Sequence, residues 1–107
     1  MKKQPYNQNG IFVNPVIVRN GDNLKITYDG LLAKSGAAHV ILHIGEGENF
    51  FNVQDVRMEK IEQDKFEATV HVQPTKETVN FCFKDCANNW DNNYGKNYVL
   101  TTPYQQQ

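Results

Sequence analysis

The segment Asn88-Asn89-Trp90-Asp91-Asn92-Asn93-Tyr94-Gly95-Lys96-Asn97-Tyr98 joins the only tryptophan of the chain to two tyrosines, a glycine and a cluster of carboxamides. Its polar groups outnumber its apolar ones, which is wrong for a hydrophobic strand. Asn, Asp and Gly are also poor helix formers. The segment reads as an ordered loop that presents flat aromatic faces beside amide groups, and that chemistry suits a sugar. A pyranose ring has C–H patches that lie on aromatic faces, and hydroxyls that need donors and acceptors together. Asn offers both in one side chain. Trp90 would carry such a site, because stacking buries apolar area and sets C–H groups against the negative face of the indole. Asn92, Asn93 and Asn97 could bond vicinal hydroxyls, and each could equally cap a turn, since Asn tolerates left-handed backbone. Tyr94 is a candidate exposed contact. Tyr98 divides evenly between contact and core. Asp91 and Asp85 read as structural carboxylates that accept loop N–H groups.

Other residue types narrow the chemistry further. His39 and His43 share one face of an expected strand, about 13 Å apart at ~3.3 Å per residue, which is too far for one metal ion. An imidazole at a strand end can bond a hydroxyl, so His43 is read as a sugar contact and no metal is expected. His71 is assigned no role. Cys82 and Cys86 are read as free thiols. Cys82 points away from Phe81 and Phe83, and a bridge to Cys86 would have to fold the strand end back. Ser35 is the only serine, and it sits in a small-residue loop with no nucleophile-elbow pattern. Asp85 and Asp91 qualify as a glycosidase pair by proximity alone. No phosphate-cradling loop is present. The expectation is a protein without enzyme activity or cofactor.

The elements that must hold these residues are short and alternating. A chain of 107 residues fits one domain. Its net charge of −1, from Lys+Arg 11 against Asp+Glu 12, gives no basic field for nucleic acid. No apolar run approaches the ~20 residues of a membrane span. The basic start lacks an apolar stretch after it, so a cytoplasmic location is expected for this chain as it stands, and an extracellular one for a domain excised from a larger secreted protein. Residues 1–10 read as a flexible lead-in, 11–103 as one domain and 104–107 as a frayed tail. A strand is expected to begin near Val16. An Asn-Gly turn at Asn20-Gly21 follows. Alternation then marks strands at Leu24–Tyr28, His39–Ile44, Phe66–Val72 and Val79–Phe83, with a weaker one at Val56–Ile61 and a last one at Tyr98–Thr102. Residues 31–37 read as a loop, and no amphipathic helix is found. The pattern predicts an all-β, immunoglobulin-like β-sandwich of six to eight short antiparallel strands.

Leu42-His43-Ile44-Gly45, Val56-Arg57-Met58, Phe81-Cys82-Phe83-Lys84-Asp85 and Asn89-Trp90-Asp91-Asn92-Asn93-x-Gly95-x-Asn97-Tyr98 occur in an order that resembles starch-binding carbohydrate-binding modules, family 25 first and the related family 53 next. The resemblance covers roughly residues 37–102. It implies a β-sandwich that binds α-1,4-glucans (starch, glycogen, maltooligosaccharides) without catalysis. It further implies a site built from a histidine after a strand, a tryptophan in the following loop and the tryptophan of Trp-Asp-Asn-Asn. His43 and Trp90 match the first and third. At the second, Phe50-Phe51 stand in place of tryptophan, and a phenyl ring offers less area. Cys86 also replaces a usual glycine. The implied partner is an α-glucan, with a separate glucan-active enzyme as a candidate companion. The alternative is a protein-interaction sandwich that uses the aromatic loop or an edge strand.

Overall fold

The computed structural model describes residues 4–19, 21–72 and 74–103. Among these residues there are nine strands: β1 (Ile11–Asn14), β2 (Asp22–Tyr28), β3 (Val40–Glu46), β4 (Phe51–Arg57), β5 (Glu59–Glu62), β6 (Lys65–Val72), β7 (Thr78–Asp85), β8 (Trp90–Asp91) and β9 (Tyr98–Thr101). They make two antiparallel sheets, one in the order β1-β2-β6-β5 and one in the order β4-β3-β7-β8, with β9 also on β7. The architecture is the expected all-β sandwich. Period-2 alternation explains the core. Leu24, Ile26 and Tyr28 of β2 and Phe66, Val70 and Val72 of β6 are buried, together with Val40, Leu42 and Ile44 of β3 and Val79, Phe81 and Phe83 of β7. Each fully buried large side chain among them contributes about 1.5–3 kcal/mol.

The second sheet positions the chemistry. β3 pairs along one edge of β7, with His43 opposite Cys82. β8 and β9 lie end to end on the other edge, at Phe83–Lys84 and at Thr78–Phe81 respectively. Residues 92–97 loop out between them. Ahead of β1, Tyr6 packs edge-on against Tyr98, 4.9 Å between ring centroids, and its hydroxyl accepts the Val99 N–H at 3.0 Å.

Three elements differ from the sequence reading. The first strand lies at Ile11–Asn14 instead of starting near Val16, and it ends where Pro15 removes a backbone donor. The expected loop 31–37 contains a one-turn helix, α1 (Leu31–Lys34). The single strand expected at Val56–Ile61 is two. β4 belongs to the second sheet and β5 to the first. The chain crosses at buried Met58, whose N–H donates to the Val40 carbonyl at 2.9 Å. Of the expected features, the tail 104–107, residues 1–3 of the lead-in and Asn20 of the turn lie outside the described residues. Among the described residues no helix is long and apolar enough to cross a membrane.

Candidate functional site

Alternation in β8 sends Asp91 inward and Trp90 outward, opposite Phe83 and Lys84 respectively. Burying a carboxylate is costly unless its oxygens are bonded, and Asp91 is well supplied. The Tyr28 hydroxyl donates to one oxygen at 2.6 Å and the Tyr98 hydroxyl to the other at 2.6 Å. The Tyr28 oxygen in turn accepts the Leu32 N–H at 3.0 Å, while its ring stacks on Phe83 at 4.0 Å. Burial first, and then the hydrogen bonds to Asp91, push both phenols well above their ordinary range. They therefore stay protonated donors, and Asp91 pins the base of the Trp90 loop to the core.

On the outer face, Trp90 is 44% exposed. The His43 ring stands perpendicular to it with centroids 5.7 Å apart, and the Phe50 ring lies 5.0 Å beyond His43. Phe50 has a left-handed backbone, φ 52°. Its chain passes so close to β3 that a Cβ on Gly45 would stand 2.8 Å from the Phe50 Cα, so only glycine admits the ring to this place. Asp55 lies opposite His43 in β4, and its carboxylate is 2.6 Å from His43 Nδ1. That contact makes Nδ1 the donor and leaves Nε2 of a neutral ring as an acceptor. The Lys84 ammonium lies over the Trp90 ring, 5.2 Å from its centroid, where it adds a charged donor. Cys82 is buried beneath this face, and burial pushes its thiol up to about 11. Both cysteines are free.

The remaining candidates fall elsewhere. Phe51 does not join the Trp90–His43–Phe50 row. It carries the Lys76 ammonium 4.9 Å above its own ring. Asn92 Oδ1 accepts the Gly95 N–H at 3.0 Å, and Asn93 Nδ2 donates to the Asn97 carbonyl at 3.1 Å. The Asn97 N–H returns to the Asn92 carbonyl at 2.8 Å. Asn93, Tyr94 and Asn97 all have positive φ. The Asn92 and Asn93 side chains thus shape the loop, and Asn97 bonds within it through its backbone. Tyr94 is 97% exposed and lines a groove of about 330 Å³ that Trp90 also borders. Asp85 accepts from the backbone of Ala87 and Asn89 and from the Asn89 side chain, and these bonds, the Asn89 amide first, hold its carboxyl below the usual carboxylate range. His39 contacts Arg57 Nη2 at 2.6 Å. Among the described residues no cluster of three or more His, Cys, Asp or Glu side chains could hold a metal ion.

The family model for the starch/carbohydrate-binding module, family 53, matches residues 24–81, just over half of this chain. The chain belongs to this family. Family 53 is one of the two related families that the sequence resembles. A family 53 module is non-catalytic, and its partner is an α-glucan such as starch. The matched stretch contains His43, Phe50, Phe51 and Asp55 and stops before Trp90. An alpha-amylase of Clostridium acetobutylicum is 37% identical over 83 residues, which is 78% of this chain and 10% of that protein. The chain therefore spans about a tenth of that relative's length. No solved structure matches.

Two residues of the module's outer face escaped the sequence reading. Asp55 was invisible because it pairs with His43 only through the β3–β4 register, and β4 begins well before the strand expected at Val56. Lys84 had a weak signal, since it follows the inward Phe83 by one position and so must point outward beside Cys82.

Proposed function

We propose that the α-glucan lies across the outer face of the second sheet, on a platform formed by Trp90, His43 and Phe50. The observation that carries this reading is the unbroken row of three rings, with centroids 5.7 Å and 5.0 Å apart, flanked by the polar side chains of Asp55 and Lys84. Trp90 stacks on a sugar face, and Phe50 extends the apolar surface. His43 Nε2 accepts a hydroxyl, with Asp55 as its positioning residue. Lys84 donates from above the indole. Asn92, Asn93 and Asn97 hold the loop and offer hydroxyls whatever amide groups the loop does not use. An open platform of this kind gives modest affinity per site, and such sites gain by being linked or repeated. The alpha-amylase that carries a similar stretch supports a role in holding a glucan near a glucan-active enzyme, within one polypeptide or between two.

Titration calorimetry with maltoheptaose on the wild type and on Trp90→Ala tests the platform. The reading expects saturable binding that weakens at least about tenfold in the variant, the loss of one stacked aromatic with its hydrogen-bonded surroundings. Undiminished binding by a folded Trp90→Ala protein would refute it.

A further inference from the structure

We infer that the groove sharing Trp90 with the platform is a second sugar subsite, which takes the continuation of the same α-glucan chain. This rests on the platform reading and extends it. The groove has a volume of about 330 Å³, within the usual range for small-ligand sites. Exposed large hydrophobic residues are normally scattered singly over a surface. Here three of the eight found among the described residues, Leu31, Trp90 and Tyr94, line one groove. Asn9 and Asn92 line the groove with them. The groove therefore repeats the combination of apolar faces and carboxamides that suits a neutral sugar. Its one exposed cation, Lys34, gives too little charge for an anionic ligand.

Tyr94 supplies an independent argument. Its backbone is left-handed, φ 58°, and follows Asn93 at φ 55°, a conformation bulky side chains rarely adopt. The ring is 97% exposed, so core packing does not require a tyrosine there. The proposed subsite gives the exposed ring a contact to make.

The two walls are also held by one buried network. Leu32, next to Leu31, donates its N–H to the Tyr28 hydroxyl at 3.0 Å, and that hydroxyl donates to Asp91 at 2.6 Å. Asp91 adjoins Trp90 in β8. Helix α1 and the Trp90 loop are thus fixed relative to each other through a single carboxylate. A groove whose walls are set before binding loses less entropy when a ligand orders in it.

The test is calorimetry with maltotriose and with maltoheptaose on the wild type, Tyr94→Ala and Leu31→Gln. Both substituted side chains are more than half exposed, so folding is not at stake, and two variants guard against a local loop effect. A long chain gains affinity on any site by sliding through several registers. That gain is the same in all three proteins and cancels in the comparison. We expect the variants to bind maltotriose as the wild type does, while their gain from maltotriose to maltoheptaose is about threefold to tenfold smaller. An equal gain in all three proteins overturns the second subsite and leaves the platform standing. A variant that loses maltotriose binding also contradicts the proposal, because the groove would then be the primary site. Failure of the wild type to bind either sugar removes the platform reading, and the subsite with it.

Discussion

At the scale of single residues, the outer face depends on partners as much as on the rings. His43 can accept a hydrogen bond from a hydroxyl at Nε2 reliably only while the Asp55 carboxylate, 2.6 Å from Nδ1, holds the ring proton on Nδ1. Asp55→Ala should therefore weaken maltoheptaose binding about threefold to tenfold, roughly the worth of one oriented hydrogen bond. Because Asp55 acts through His43, the double variant His43→Ala/Asp55→Ala should be little worse than His43→Ala, and a calorimetric double-mutant cycle reads that coupling. The buried phenols set a pH limit on stability. Burial and Asp91 raise the Tyr28 and Tyr98 values, so the unfolded chain, which titrates near pH 10, gives up these protons first. Stability from this pair is full below about pH 10 and falls as the pH rises further. Glu46 acts at the other end. Burial opposes its charge, but bonds from Asn52 and Thr75 outweigh that and lower its value from 4.5. Its contribution is present above the ordinary glutamate range and is lost as the pH drops through the lowered value. Thermal melts across the pH range should show both flanks, and Tyr98→Phe should soften the alkaline one.

At the scale of elements, the sequence was legible wherever one face of a strand meets the core. β2 and β6 carry the alternation that burial of one face demands, and β7 alternates in residue type, Val79, Phe81 and Phe83 against Asn80, Cys82 and Lys84, although Asn80 and Cys82 are buried as well. β4 and β5 were not legible as two strands. A period-2 pattern cannot show that a chain changes sheets at Met58, and β4 is exposed along almost its whole length. Helix α1 is a single turn, too short to leave a periodic signal. In the site, the Trp90 loop and His43 could be picked out by residue type. Their contact could not, because it depends on register across β3, β7 and β8. The choice between Phe50 and Phe51 likewise needed the left-handed turn that sends Phe50 toward His43. That turn gives a prediction. Gly45→Ala places a methyl 2.8 Å from the Phe50 Cα, so Phe50 must move. The variant should lose about 1–3 kcal/mol of stability by overpacking, with maltoheptaose affinity falling together with the displaced ring. Denaturant melts and calorimetry on one preparation measure both.

At the scale of the whole molecule, the sandwich presents the outer face of its second sheet, with the proposed platform running from Trp90 of β8 to His43 of β3 and on to Phe50 before β4. A neutral glucan feels no long-range attraction to a protein of net charge −1, so binding on the proposed platform rests on contact. The most direct check is an NMR titration of the labelled protein with maltoheptaose, following the Trp90 indole N–H and the backbone amides. The account predicts shifts concentrated in residues 41–46, 50–57, 82–84 and 90–97, with the Trp90 indole among the largest. Shifts confined to the first sheet, with Trp90 and His43 unmoved, would contradict it.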